Sequence, residues 1–195
     1  AQIPLIVNHM RRWCPFYQYI HNFIVEKELG ELRSIYGECD TALYTNASHM
    51  IDLMVWLGGD PCVVGSRVDK TFVRQVGDFL DYGARIFATT SNGVDWFLDA
   101  SGVAKEYHRF SLILNFERGQ FRVLDDDMAF EIFDFQASEE KPWLKVLKKR
   151  LLRINDFPKN RLVLLYREVV DVICSSHELN YSATDSLPCL KVISE

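Results

Sequence analysis

Two side chains able to do proton chemistry stand three residues apart in the run Asn46-Ala47-Ser48-His49-Met50-Ile51-Asp52-Leu53-Met54-Val55-Trp56-Leu57-Gly58-Gly59. An imidazole titrates near neutral pH, and a carboxylate can orient it or share its proton. Between Met50 and Leu57 every residue except Asp52 is apolar, so a helix here has no wettable face and is expected to be buried almost all round. At a spacing of three, His49 and Asp52 share one face of that helix. Burying either without a partner is costly, which leaves two readings. The two groups satisfy each other, or a nearby backbone group, as packing polar residues. Alternatively, His49 at the open N-terminal end looks into a cleft as an acid/base or substrate-orienting group.

The elements that must position these groups follow from the local pattern. Thr45, Asn46 and Ser48 are candidate caps at the start of the buried helix, and Gly58-Gly59 can end it. Upstream, residues 3–7 read as a short strand apolar on both sides, of the kind found inside a parallel sheet. Asn8 to Cys14 is a polar crossing with adjacent arginines, Arg11 and Arg12. Pro15 then starts a helix to about residue 28, with Phe16, Tyr19, Ile20, Phe23 and Ile24 on one face and Gly30 as its stop. Residues 32–39 read as a strand. From 62 to about 135 the period becomes two, with candidate strands at 62–68, 84–90, 94–99, 108–116, 120–124 and 128–135. Ser91-Asn92-Gly93 and Glu117-Arg118-Gly119 supply hairpin turns. Residues 143–154 read as a basic amphipathic helix, whose charged face is either simply solvated or an anion-binding rim, 160–177 as a long helix, and 182 onward as a final helix.

The resulting fold class is α+β: a largely antiparallel open sheet with helices packed on one face. Phe110, Leu112, Leu114 and Phe116 alternate toward one side, continued by Phe121 and Val123. Phe97, Ile113, Phe133 and Phe135 make the other side partly apolar too. A sheet that needs cover on both faces takes its own helices on one and a partner on the other, so a homodimer through the open face is expected.

Composition excludes several classes. The chain has 195 residues, a formal net charge of −5, 48% hydrophobic and 25% charged residues. That is an ordinary globular balance, and it argues against a general binder of nucleic acid or anionic membrane. No apolar run is long enough for a membrane helix, and no signal peptide opens the chain. Five cysteines without a CxxC read as reduced thiols of a cytoplasmic protein. Glycine-rich phosphate loops, HExxH, paired-cysteine metal spacing and a nucleophile elbow are all absent, so hydrolase and metal chemistry have little support. No metal ligands are assigned.

Val7-Asn8-His9-Met10-Arg11-Arg12-Trp13-Cys14-Pro15-Phe16-Tyr17 resembles the crossover into the second domain of the Gfo/Idh/MocA oxidoreductases, the family of glucose–fructose oxidoreductase and inositol dehydrogenase. Leu29-Gly30-Glu31-Leu32 is similar to that family's entry into the following strand. Asn46-Ala47-Ser48-His49-Met50-Ile51-Asp52-Leu53 with Trp56-Leu57-Gly58-Gly59 resembles its N-G-T-H-x-x-D-L…W-L-x-G. Tyr166 to Asp171 and Tyr181 to Leu187 look like its late helix and the segment after it. The resemblance implies an NAD(P)-dependent enzyme that passes hydride between NAD or NADP and a sugar, cyclitol, sugar phosphate or nucleotide sugar. It implies that residues 1–8 are the last strand and crossover of a missing nucleotide-binding (Rossmann) domain, and that 9–195 form the C-terminal substrate and dimerisation domain.

In this picture the glycine-rich loop and the lysine of the family's Glu-Lys-Pro motif lie upstream of Ala1, and Glu140-Lys141-Pro142 is a coincidence. The missing Met before Ala1 and the uncapped final helix agree with a chain cut from a longer one. His49 corresponds to the family's acid/base histidine. Arg11 and Arg12 are similar to arginines flanking its substrate pocket. Thr45 stands where many members have Asp, so Thr45 and Asn46 could hydrogen-bond substrate but could not serve as a carboxylate base. The isolated chain is expected to be inactive. The rival reading is a non-catalytic module that binds a sugar or serves dimerisation.

Overall fold

In this computed structural model the described residues are 5–40, 42–101, 109–124, 129–150, 161–175 and 181–194. A short 3-10 turn, Met10–Trp13, leads into α1 (Pro15–Val25), then β1 (Leu32–Cys39), a five-residue π-type turn (Leu43–Ala47) and α2 (Ser48–Gly58). Seven strands follow: β2 (Pro61–Val76), β3 (Phe79–Thr90), β4 (Asp95–Ala100), β5 (Phe110–Phe116), β6 (Gly119–Leu124), β7 (Ala129–Ala137) and β8 (Lys145–Arg150). The chain closes with α3 (Arg161–Ser175), a 3-10 turn (Ala183–Ser186) and α4 (Leu187–Ser194).

The strands form one open sheet in the order β2-β3-β4-β1-β5-β6-β7-β8. Its neighbours run antiparallel except β1 and β4, which are parallel. The exception has a simple origin. The chain leaves β1 through α2, makes the β2–β3 hairpin, and returns β4 to the free edge of β1. The α+β class, the largely antiparallel open sheet and the packing of helices on one face agree with the sequence reading.

Alternation sorts the sheet's side chains. Phe110, Leu112, Leu114, Phe116, Phe121 and Val123 all point to the buried side. Phe23 of α1 meets Phe121 edge-on at 4.9 Å and Phe116 at 6.2 Å. Helix α2 is buried along nearly its whole length, as its all-round apolar sequence requires. Two glycines let it sit directly on β1: a Cβ at Gly37 would come within 2.8 Å of the Met54 sulfur, and one at Gly58 within 2.6 Å of Ile35. Gly59, with φ +93°, ends the helix and donates its N–H to the Val55 carbonyl at 2.8 Å.

Several local readings change. Residues 145–150 are a strand, where the sequence suggests part of a helix over 143–154; residues 151–154 lie outside the described set. The spacing of Leu144 and Leu147 fits a helix, but β7 offers an open edge that pairs with this segment from Ile132–Arg150 to Ala137–Lys145. Strand charges complete the pairing: Arg150 donates to both oxygens of Asp134 (3.0 and 2.7 Å), and Lys149 to Glu131 (2.7 Å). The β2–β3 hairpin extends well past residue 68; its far end mixes exposed apolar residues, Val73, Phe79 and Leu80, with charged ones and so carries no regular apolar alternation to read. The strand predicted from residue 108 begins at Phe110 and the one from 128 at Ala129; residues 108 and 128 lie outside the described set, as do 1–4, 160 and 176–177. Leu5 to Asn8 carry no strand assignment.

The start of α2 also differs. None of the three candidate caps serves it. Instead the carboxylate of Asp81, fully buried on β3, accepts the N–H groups of Tyr44 (3.0 Å) and Thr45 (3.2 Å), the first free donors of the preceding turn. A tertiary partner does what a neighbouring side chain usually does.

Candidate active site

Asp52 is the centre of the polar cluster that α2 carries into the interior. It is 2% exposed. Arg12, from the turn before α1, donates Nε to Oδ2 at 3.0 Å and Nη2 to Oδ1 at 2.9 Å, a two-pronged grip suited to a carboxylate. Tyr181, just before the turn that enters α4, donates its hydroxyl to Oδ1 at 2.6 Å. His9 brings Nδ1 to within 2.7 Å of the same oxygen, so that nitrogen carries a proton. Four donors from two distant segments thus converge on one acceptor. Burial raises the Asp52 pKa, but the hydrogen bonds from His9 and Arg12 outweigh it and hold the carboxyl below its ordinary value. The Tyr181 phenol is pushed the other way, by burial and by the Asp52 charge, and stays protonated.

Packing fixes the donors. The Arg12 guanidinium lies 3.9 Å above the Tyr181 ring. Trp13 meets that ring edge-on at 5.7 Å and donates its indole N–H to Glu168 of α3. A cavity of about 360 Å³ lies on this side, bounded by Arg12, Trp13, Gln18, Trp56, Glu168 and Tyr181. His49 is not part of its wall.

His49 sits one helical turn before Asp52 but does not bond to it, which corrects the reading in which the two satisfy each other. Its ring meets His9 edge-on at 5.3 Å. Its Nδ1 is buried and has no hydrogen-bond partner among the described residues. Burial, the Arg11 charge and the His9 charge, in that order, lower its pKa to about 4 against a weaker opposing pull from Asp52. At neutral pH it is an uncharged imidazole, able to take a proton and unable to give a second one.

The other residues singled out from sequence have definite places. Arg11 is buried, with its guanidinium 3.4 Å over the Phe110 ring, and its charge reaches His49. The Arg12 fork is committed to Asp52. Thr45 donates its hydroxyl to the Ala42 carbonyl at 3.3 Å, and Asn46 its amide to Asp40 at 3.4 Å, so both brace the turn ahead of α2. The structure therefore groups His49 with Arg11 and Arg12, keeps Thr45 and Asn46 one turn away, and adds His9 and Tyr181. His9 lies in the crossing that was read for its arginines. Tyr181 is 129 residues from Asp52 in the chain, and no local spacing signals that contact.

A free helix N-terminus is a common seat for the phosphates of a dinucleotide, and the starts of α1, α2 and α4 offer a poor one. The donors before α2 already face the Asp81 carboxylate. Helix α1 begins with Pro15, which has no N–H. The turn entering α4 is closed by Ser182 and Asp185. No cluster of three metal-ligating side chains occurs among the described residues, and no described helix is long and apolar enough to cross a membrane.

No family model matches the sequence, and no curated protein does. Solved structures do share the fold. A levoglucosan dehydrogenase in complex with NADH and L-sorbose superposes with a TM-score of 0.75 at 13% identity, over 98% of this chain and 62% of that one. An oxidoreductase from Agrobacterium radiobacter, in complex with NAD+, L-tartaric acid and magnesium, gives 0.65 at 16% identity over 98% and 61%. An NAD-binding oxidoreductase from Klebsiella pneumoniae gives 0.74 at 12% identity over 98% and 63%. The chain thus has the fold of part of these NAD-binding oxidoreductases and spans under two thirds of their length.

Proposed function

We propose that this chain is the C-terminal domain of a Gfo/Idh/MocA oxidoreductase acting on a sugar, cyclitol, sugar phosphate or nucleotide sugar. The observation that carries the reading is His49: a neutral, partly buried imidazole at the start of a buried helix, in a fold shared with NAD-binding oxidoreductases. The cofactor, NAD or NADP, supplies hydride transfer when bound, and its phosphates are held by sequence outside this chain. Within the chain, His49 accepts the proton of the substrate hydroxyl. Burial, with the Arg11 charge behind it, keeps His49 uncharged, and Arg11 attracts any anionic group of the substrate. Arg12 holds Asp52 rigid behind the site, and Thr45 and Asn46 orient hydroxyls at its rim. The open sheet face serves a homodimer. The protein works in the cytoplasm.

The test is His49→Ala in the complete enzyme. Loss of an acid/base group should lower kcat about 10²–10⁴-fold with KM changed far less. An unchanged kcat removes His49 from the mechanism. A second reading, a non-catalytic sugar-binding or dimerisation module, has one observation in its favour: four residues before His49 stands Thr45, whose hydroxyl donates to the Ala42 carbonyl, and not a carboxylate that could act as a base. It expects the 195-residue chain alone to bind sugars in a calorimeter, whereas the oxidoreductase reading expects only feeble binding.

A further inference from the structure

The hydride-transfer reading gives Asp81 no part, yet among the described residues it is the acid most completely shut from water, at 0% exposed against 2% for Asp52. Asp52 is met by an arginine, a histidine and a phenol. The Asp81 carboxylate has only two polar partners among the described residues, both backbone N–H groups. Oδ1 accepts that of Tyr44 at 3.0 Å, and Oδ2 lies 3.2 Å from the nitrogens of both Tyr44 and Thr45. Burying a carboxylate is expensive, and N–H groups aimed at it offset that cost. Capping a helix does not require such an arrangement, because a Ser, Thr, Asp or Asn within the turn does it locally. An acceptor on another strand, 36 residues further along the chain, also ties the turn to the sheet. The remaining side-chain bonds of the turn are local: Thr45 to the Ala42 carbonyl (3.3 Å), Asn46 to Asp40 (3.4 Å) and Ser48 to the Thr45 carbonyl (2.7 Å). β3 adds an apolar hold through Phe79, which meets the Tyr44 ring edge-on at 5.4 Å. Helix α2 has anchors of its own, since Gly37 and Gly58 seat it on β1 and Arg12 and Tyr181 pin it at Asp52. His49 is carried by that anchored helix, whereas Thr45 and Asn46 stand on the turn.

We propose that Asp81 is a positioning residue of the site: its carboxylate fixes the turn Leu43–Ala47 against β3 and so holds Thr45 and Asn46 where substrate hydroxyls meet them, ahead of His49. That Thr45 and Asn46 meet substrate rests on the oxidoreductase reading, while the tie between turn and strand belongs to the chain itself. A turn left free would have to be ordered each time substrate binds, and that cost would be taken from affinity. The effect therefore falls on binding, and the proton chemistry of His49 keeps its own supports.

The test begins with ¹⁵N relaxation of the 195-residue chain, which reads the motion of the folded state and is not moved by a change in global stability. The Tyr44, Thr45 and Asn46 amides should be as rigid as those of α2, with order parameters of about 0.85. In Asp81→Ala they should fall toward about 0.6 while α2 stays rigid, and in Asp81→Asn, which keeps one acceptor oxygen, they should lie between. A turn already mobile in the unaltered chain, or one equally rigid in a folded Asp81→Ala chain, overturns the proposal. If Asp81→Ala does not fold, Asp81→Asn and the unaltered chain decide. The complete enzyme is then assayed with NAD and NADP against a panel of aldoses, cyclitols and sugar phosphates. Asp81→Asn should raise KM about tenfold and leave kcat within about twofold, the reverse of the pattern expected for His49→Ala. A fall in kcat at unchanged KM also overturns the proposal, because the turn would then serve His49 and not the residues at the rim. An unaltered enzyme that turns over nothing in the panel counts against the oxidoreductase reading alone, and the relaxation result still decides whether Asp81 holds the turn.

Discussion

The two faces of the sheet use polar residues in opposite ways. On the helix-covered side they converge: His9, Arg12 and Tyr181 meet at the buried Asp52 carboxylate of α2. On the open side they spread along the surface. Asn115 donates to Ser34 (2.9 Å), Gln120 to Asn115 (2.6 Å) and Arg122 to Gln120, while Arg85 bonds Asp99 (3.3 Å) and Ser101 (2.9 Å). Between these strings lie Tyr36, Phe87 and Phe97, with ring centroids 4.8 and 6.3 Å apart and Phe97 47% exposed. Convergence makes a desolvated charge whose position is fixed, which is what proton chemistry needs. Dispersion leaves partly exposed aromatic rings among spread polar side chains, with no charge fixed in a desolvated place.

The sharpest way to break this contrast is to remove one aspartate from each side. Asp52→Ala leaves the Arg12 charge buried without its partner and should cost about 3–5 kcal/mol of stability. Asp99→Ala removes a partly exposed carboxylate held by Arg85 and Ser101, and should cost about 1 kcal/mol or less. Urea unfolding of the two variants measures both. Equal losses would mean that the Asp52 cluster is no more desolvated than the open face.

A smaller effect, but one assigned to single groups, is the pH dependence of stability. The folded chain holds the His49 pKa near 4, against 6.5 for an ordinary histidine. Between those values the unfolded chain binds the proton and the folded chain does not, so stability rises with pH across that window and falls as pH drops from about 6.5 to about 4. Asp52 has a folded pKa below its ordinary 3.8. Its contribution is present above that value and is lost as pH falls through the lowered folded one. Unfolding midpoints should therefore drop in two stages. His49→Gln flattens the upper stage and Asp52→Asn the lower. A His49→Gln chain that still loses stability between pH 6.5 and 4 would place the upper stage on another group.

Much of this could be read from sequence, and the limits are instructive. β1 was legible to the residue because Leu32, Ile35 and Cys39 face the core between polar positions and Gly30 stands before them. α2 was legible because only a buried helix tolerates so apolar a run. The central strands declared themselves by alternation. β8 did not, because Leu144, Leu147 and the lysines between them satisfy either period, and only the open edge of β7 settles the choice. The site divides in the same way. His49 and Asp52 announce themselves by type and spacing, but their pairing does not follow from it: the partners that Asp52 takes are 40, 43 and 129 residues away in the chain, counting Arg12, His9 and Tyr181. Asp81 was invisible as a cap for the same reason, since it reaches the start of α2 from another strand.

The least costly change should be the one that tests the open face. Phe97 on β4 stands opposite Tyr36 and Phe87 in register, with a cavity of about 470 Å³ between this aromatic row and Arg67 and Arg85. Nearly half of its ring is already in water, so Phe97→Ala forfeits little burial within one chain and should lower monomer stability by about 1 kcal/mol or less. If the face is covered by a second copy, the same ring lies at the centre of the contact, where truncating an aromatic anchor costs about 2 kcal/mol or more, weakening association roughly thirtyfold. Sedimentation equilibrium of the unaltered chain and the variant separates the two costs. A dimer weakened by Phe97→Ala at unchanged monomer stability makes the open face an interface. A monomeric parent chain leaves the aromatic row uncovered, and a large loss of monomer stability would mean that the row is part of the chain's own core, so that the two faces differ less than their polar networks suggest.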